Sequence, residues 1–410
     1  MTYSYVSHLY CPKCEKMYST KNQNQLCECG SPLLVSYKMD ELKEVFRPEN
    51  LNGRSADLWR YHEILPVESE ENVVSLGEGM TPIVKMEKIG HDMKIPNLYM
   101  KDEGLIPSGS FKSRGAAVGV SKAKELGVTE LAMPTNGNAG AAWSLYSSRA
   151  GIKSTIVMPV DAPEITRKEC MAAGANLFLV NGLIGDAGQI VARAVKDEGM
   201  FDASTLKEPY RIEGKKTMGL EIAEQFNWEV PDVILYPTGG GVGLIGIYKA
   251  LRELQELGWI DADKMPRLVA VQSEGCAPIV KAWEEGKTHA EPWKDASTIA
   301  FGINVAKALG DFLILEGIRE TNGCAISVSE ESIMTELRAV SSMEGAYVCP
   351  EGAAAFAAAR QLREQEWIND DDRVVVLNTG AGIKYPNTIQ GDVVTLEPGD
   401  SVPKTKESVQ

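Results

Sequence analysis

The chain is 410 residues long, 44% hydrophobic and 24% charged, with a formal net charge of −15. That length allows two or three domains around a large core, and the negative balance argues against a nucleic-acid or anionic-membrane partner, because either would need a basic face. No apolar stretch approaches the roughly 18 to 20 residues of a membrane helix, and the absence of a charged-then-apolar start gives cytoplasmic as the expected location.

The first feature along the chain is CPKCEKMYSTKNQNQLCECG. Cys11 with Cys14, and Cys27 with Cys29, form two close pairs around a short polar hairpin. Two such knuckles aim four thiolates at one tetrahedral zinc ion. The second pair is Cys-x-Cys, one residue short of the usual spacing, so a ribbon that has lost its metal is the alternative. Four thiolates leave no open position, which makes any zinc here structural. Cys170, Cys276, Cys324 and Cys349 are scattered and read as reduced core thiols. Met39 to Asn72 reads as a polar, partly helical connecting arm.

From Leu98 onward, short β-rich runs alternate with helical patterns. The runs are LYMKDE at 98, ELAMPT at 130, STIVMP at 154, NLFLV at 176, DVILYPT at 232, RLVAVQS at 267 and RVVVLNT at 373. Near-continuous Val, Ile and Leu suits parallel strands covered on both faces. Helices such as Lys112 to Leu126 and Ala139 to Arg149 between them predict a doubly wound α/β protein.

Ligands of such sheets sit beyond the carboxyl ends of the strands. At PSGSFKSRG, Ser110 reads as an N-cap, which puts Lys112 and Arg114 in the first helical turn. A cation there costs about 0.3–1 kcal/mol against the helix dipole. The same dipole depresses the lysine's basicity, which suits an amine that forms a Schiff base; two solvated cations on a frayed turn is the plainer reading. In PTNGNAG, Gly137 permits a tight turn and Asn138 presents an amide at the mouth of the next helix, although the stretch alone is a generic turn. The glycines of PTGGGVGLIG fit either a dinucleotide or a single phosphate. In the dinucleotide reading Glu274 is the ribose acid, about 28 residues beyond Gly246 where roughly 20 are usual. Thr379, directly after the last strand, offers a hydroxyl that meets a ring nitrogen without protonating it. One lysine, one amide, one phosphate cup and one hydroxyl fit pyridoxal 5′-phosphate (PLP) better than NAD.

These motifs in this order, SFKxRG, the GN turn, the glycine loop and TGxGxK, resemble the fold-type II PLP enzymes, and SLGEGMTPIV upstream resembles their opening segment. With the cysteine ribbon in front, the closest resemblance is to the threonine synthases, over about Leu9 to Pro386. The resemblance implies an α/β fold of two doubly wound parallel-sheet domains, similar to the tryptophan synthase β chain, with a small N-terminal cysteine ribbon. Its expected divisions are a ribbon at 1–37, an arm and the first part of the large domain at 38–114, a small mobile domain at 115–195, the large domain at 196–400 and a tail at 401–410. It implies that Lys112 carries PLP, Asn138 meets the ring hydroxyl, Gly239, Gly240, Gly241, Val242 and Gly243 cradle the phosphate, and Thr379 faces the ring nitrogen. It further implies conversion of O-phospho-L-homoserine and water to L-threonine and phosphate by a homodimer. The substrate carboxylate would lie against Thr135, Asn136 and Gly137, and Arg211 would grip the substrate phosphate.

The sequence departs from that family at several points. Ser113 replaces an aspartate, Thr205 and Glu208 stand where asparagines are usual, Ala139 replaces a hydroxyl residue, and TGGGVG resembles the loop of serine/threonine dehydratases. The competing reading is therefore a PLP-dependent β-lyase or β-replacement enzyme acting on threonine, serine, 2,3-diaminopropionate or O-phosphoserine. An NAD enzyme leaves Lys112, Asn138 and Thr379 without a task, and a ribbon-bearing module with a degenerate PLP domain leaves the intact lysine unexplained. PEGAAAFAAARQL and KKTMGLEIAEQF read as core helices, with an approach of Glu351 to the cofactor edge as the weaker reading of the first.

Overall fold

The computed structural model describes residues 2–391 and 393–402, so most of the expected 401–410 tail falls outside the described residues. The apolar runs form two open parallel sheets, preceded by a small antiparallel ribbon of β1 (Val6–Tyr10), β2 (Met17–Tyr18) and β3 (Leu34–Tyr37), in the order β2-β1-β3.

The larger sheet runs Cys324–Val328 (β12), Arg267–Ser273 (β11), Val233–Pro237 (β10), Val374–Asn378 (β13), Leu98–Asp102 (β5) and Ile83–Lys85 (β4). All neighbours are parallel except β4, which pairs antiparallel with β5. Successive side chains on a strand point to opposite faces. Val233, Leu235, Val269, Val271, Val374 and Val376 thus meet the helices Glu330–Glu344 and Pro350–Glu364. Ile234, Tyr236, Leu268, Ala270, Val375 and Leu377 join a second core with the helices Lys112–Glu125, Arg211–Gln225 and Val242–Leu257. Both faces being covered, no polar alternation remains in these strands. Each fully buried aliphatic side chain contributes about 1.5–3 kcal/mol.

The smaller sheet, in the order Asn176–Val180 (β8), Lys153–Pro159 (β7), Glu130–Pro134 (β6) and Phe201–Asp202 (β9), is wholly parallel. It reaches beyond residue 195 to Asp202, and the helix Lys112–Glu125, which packs on Asn138–Ala150, straddles residues 114 and 115. The seven expected strands are present. β12 escapes the sequence pattern because Cys324, Ala325 and Ser327 give it no run of large apolar residues, and only Ile326 and Val328 are buried.

The arm differs from its polar reading. Leu51, Leu58, Trp59, Tyr61, Ile64 and Leu65 are buried in the main core, carried on short 3₁₀ turns. Irregular turns bury side chains without a period of 2 or 3.6, so their apolar residues form no recognisable stripe. Among the described residues, no helix is long and apolar enough to cross a membrane.

Candidate active site

Four strand ends meet at one place. After β5, the chain turns through residues 103–111 into the Lys112 helix. Backbone bonds tie that loop to the end of β13: Phe111 N–H donates to the Thr379 carbonyl at 3.1 Å, and Ser110 bridges Gly380. After β6, Asn138 opens its helix and donates from Nδ2 to the Tyr385 hydroxyl at 3.3 Å. After β10 comes the glycine loop, pressed by the 301–303 turn, where a Cβ on Gly239 would stand 2.9 Å from the Gly302 carbonyl. Lys384, the lysine of TGAGIK, pairs with Glu169 at 2.8 Å and donates to the Ser108 carbonyl at 2.8 Å. It thereby ties the Lys112 loop to the helix Glu164–Ala172 beside the smaller sheet.

Lys112 is the first residue of its helix. The cap is Phe111, not Ser110 as the sequence suggested; the Ser110 hydroxyl instead accepts from the Lys112 N–H at 3.2 Å. The Lys112 amine lies 3.9 Å from the Phe111 ring centroid, and no ion-pair partner is found for it among the described residues. Burial lowers its pKa to about 8, with the Glu351 carboxylate opposing and the Arg211 guanidinium adding to the shift. Arg114, the other first-turn cation, is fully buried and paired with Glu103 at 2.6 Å and Glu221 at 2.5 Å, beneath Lys101, which also holds Glu221. Its charge is thus neutralised below the site and does not enter it.

Two buried polar atoms face this junction without a hydrogen-bond partner: Asn138 Oδ1 and Glu351 Oε2. Buried acceptors are rarely left orphaned, so a group carrying donors belongs here. Glu351 Oε1 accepts from the Gly302 N–H at 2.7 Å. Thr379 is buried with its hydroxyl 3.8 Å from Cys349 Sγ, and burial holds that thiol well above its ordinary pKa. Gly241 caps the helix Val242–Leu257 with φ of +71°, and a Cβ there would run into Ile314. The bare loop at a helix N-terminus is an anion cup. An amine of lowered basicity, an amide oxygen awaiting a donor, a hydroxyl and an anion cup together fit PLP.

The dinucleotide fingerprint has another cause. A Cβ on Gly246 would stand 2.9 Å from Lys215 Cβ, and one on Gly243 would run into the Tyr236 ring. These glycines let the helix Val242–Leu257 pack closely on the helix Arg211–Gln225 and on β10. Glu274 is exposed, its N–H bonded to the Val328 carbonyl.

Other expected residues take particular positions. Thr135 Oγ1 accepts from the N–H groups of Gly137 at 3.0 Å and Gly140 at 3.2 Å, bracing the turn, while Asn136 is half-buried. Arg211 is committed internally. Nε donates to Glu208 at 2.6 Å, Nη1 to the Thr205 hydroxyl at 3.2 Å, Nη2 to the Ala203 carbonyl, and the guanidinium lies 4.8 Å from the Trp143 ring. The two residues that replace the family's asparagines are the ones that occupy it. Sequence reasoning passed over two residues that line the junction, Lys215 and Tyr385, and set Glu351 at the cofactor edge only as the weaker of two readings. The doubled lysine of KKTMGL was the one available signal.

At the ribbon, the sulfurs of Cys11, Cys14, Cys27 and Cys29 all lie within 4.8 Å of one another, with Cys11–Cys29 and Cys14–Cys27 each at 3.5 Å. A tetrahedral ion with bonds of 2.3 Å separates its sulfurs by about 3.8 Å, so the cluster fits zinc. Cys170, Cys276 and Cys349 are free and buried; Cys324 is free and partly exposed.

The pyridoxal-phosphate dependent enzyme family model matches residues 74–380. The chain is 34% identical to the threonine synthase of Methanocaldococcus jannaschii, over 92% of this chain and 93% of that one. It is 35% identical to the threonine synthase of Methanosarcina acetivorans, over 93% of each. Among solved structures, maize serine racemase superposes with a TM-score of 0.64 at 22% identity, over 74% of this chain and 88% of that one.

Proposed function

The chain belongs to the pyridoxal-phosphate dependent enzyme family, as a fold-type II lyase related to the threonine synthases, and from that premise we propose that it converts O-phospho-L-homoserine and water to L-threonine and phosphate. The observation that carries this reading is the solitary buried amine of Lys112 at the meeting of four strand ends, with the unpaired Asn138 oxygen beside it. The similarity to threonine synthases over nearly the whole chain supports the substrate.

In this reading PLP, when bound, supplies the electron sink that makes an amino acid's α-proton acidic. Lys112 would hold the cofactor, and its free amine would take the α-proton and return protons to the substrate's side-chain carbons. Gly239, Gly240, Gly241, Val242 and Gly243 hold the cofactor phosphate, Asn138 the ring hydroxyl and Thr379 the ring nitrogen. Thr135, Asn136 and Gly137 receive the substrate carboxylate on the rigid turn that the Thr135 hydroxyl braces. Phe301 and Tyr385, whose rings lie 4.9 Å apart, exclude water from that side. Cys11, Cys14, Cys27 and Cys29 hold one structural zinc ion.

A specific observation favours a second reading, elimination from an unphosphorylated amino acid. The Arg211 charge is already met by Glu208. Incubation of the PLP-loaded enzyme with O-phospho-L-homoserine decides between them. Equimolar threonine and phosphate, both lost in Lys112→Ala, is the expected result. No turnover of that compound, with serine or threonine yielding ammonia and a 2-oxo acid, establishes the second reading.

A further inference from the structure

A phosphate monoester in a buried site needs a cation, and the arginine expected to provide one is occupied by Glu208, Thr205 and Ala203. One helical turn further along the same helix, Lys215 faces the same way: a Cβ on Gly115 of the Lys112 helix would touch both Arg211 Cβ at 3.2 Å and Lys215 Cε at 3.0 Å. The Lys215 amine stands 4.1 Å from the centroid of the Phe111 ring that Lys112 also covers, and it donates to the Phe111 carbonyl. Its stem packs against Gly246, in the second turn of the helix that begins at the glycine cup.

The charge pattern around it sets Lys215 apart. Buried cations are ordinarily paired with carboxylates. Lys216, its neighbour in sequence, has Glu213 at 2.6 Å and Glu253 at 2.8 Å; Lys101 and Arg114 share Glu221. Lys215 is fully enclosed, yet among the described residues no carboxylate pairs with it, and a peptide oxygen is its hydrogen-bond partner. Burial, and then the charge of Lys112, push its pKa well below the ordinary value, and a nearby anion favours the protonated form of such an amine.

We propose that Lys215, in place of Arg211, is the cation that holds a phosphate monoester in this site. The inference rests on the PLP-enzyme reading, which supplies two phosphate monoesters of the same chemistry, the cofactor and a phosphorylated substrate.

The test compares wild type, Lys215→Met and Lys215→Arg, each checked for folding by circular dichroism. Apoenzyme is titrated with PLP and with pyridoxal, and PLP-loaded enzyme with inorganic phosphate by calorimetry. A charge-assisted bond of about 1.5–3 kcal/mol corresponds to roughly a tenfold or greater loss in Lys215→Met. Loss confined to PLP, with pyridoxal binding unchanged, assigns the cofactor's phosphate; loss confined to inorganic phosphate assigns the substrate's. Lys215→Arg keeps the charge and retains binding in either case. Wild-type binding of both phosphates by Lys215→Met overturns the proposal. Should Lys215→Met not fold, Lys215→Gln against Lys215→Arg gives the same comparison, and equal binding in those two overturns it. A wild-type enzyme that makes no threonine from O-phospho-L-homoserine fails the proposed reaction, while these binding measurements still read Lys215.

Discussion

Lys112 reacts only as the neutral amine, so its surroundings set when the enzyme can be charged with cofactor. An ordinary lysine at pH 10.5 is half protonated; burial moves that midpoint to about 8 here, and Arg211 reinforces the shift. The neutral fraction at pH 7 is then about one in ten, against fewer than one in a thousand for a free lysine. The rate at which apoenzyme gains cofactor absorbance should therefore climb about tenfold between pH 6 and 7 and level off above about 8. A rate still climbing tenfold per unit between pH 8 and 9 contradicts this, and Lys112→Ala should show no such band. Thr379 was legible in the sequence because it stands directly after a strand, where a polar residue has no packing reason to be, and Lys112 and Asn138 because they open the helices that follow β5 and β6. Lys215 was not. It lies inside a helix among core residues, and a buried charge betrays itself only through partners that three-dimensional packing supplies or withholds. Arg211 was legible as a residue but not as a charge, because its meaning depends on the Glu208 carboxylate folded back onto it.

The glycine cup shows what a helix start demands of its sequence. Gly241 sits at φ +71° against Ile314, whereas a Cβ on Gly240 would find only Thr205 Cγ2, at 3.6 Å. Gly241→Ala should lose about 1–2 kcal/mol to the left-handed backbone and a further 1–3 kcal/mol to overpacking, visible as a lower midpoint of thermal unfolding. Gly240→Ala should unfold like the wild type and yet bind PLP more weakly, because its methyl group occupies the cup. Equal unfolding midpoints for the two variants would show that Gly241 is not bearing this strain. At the same scale, seven strands were readable as short β-rich runs, the sheet-edge β8 among them. Strand β12 and the 3₁₀ arm were not, since β12 carries no run of large apolar residues and an irregular turn imposes no period on its residues.

Across the whole molecule, Tyr37 ties the ribbon to the helix of the site. Tyr37, on β3, donates its hydroxyl to Glu213 at 2.7 Å, and its ring lies 4.1 Å from the Lys216 amine. Glu213 and Lys216 stand on the helix that carries Arg211 and Lys215. The four thiols at the other end of the ribbon approach one another as metal ligands do, and Leu9, Val35 and Tyr37 bury the ribbon sheet in the main core. A structural zinc contributes folding energy outright, and here it would fix the sheet that delivers Tyr37 to the site helix. Metal analysis of the purified protein should return one zinc per chain, and Cys14→Ser should abolish it. At about 2–4 °C per kcal/mol for a unit of 150–250 residues, losing even a few kcal/mol lowers the unfolding midpoint by several degrees. PLP absorbance should persist below that temperature, because no zinc ligand reaches the cofactor cup. If the protein contains no zinc, and Cys14→Ser leaves the midpoint unchanged, the ribbon is held by its buried face alone and the short Cys-x-Cys spacing marks a lost site.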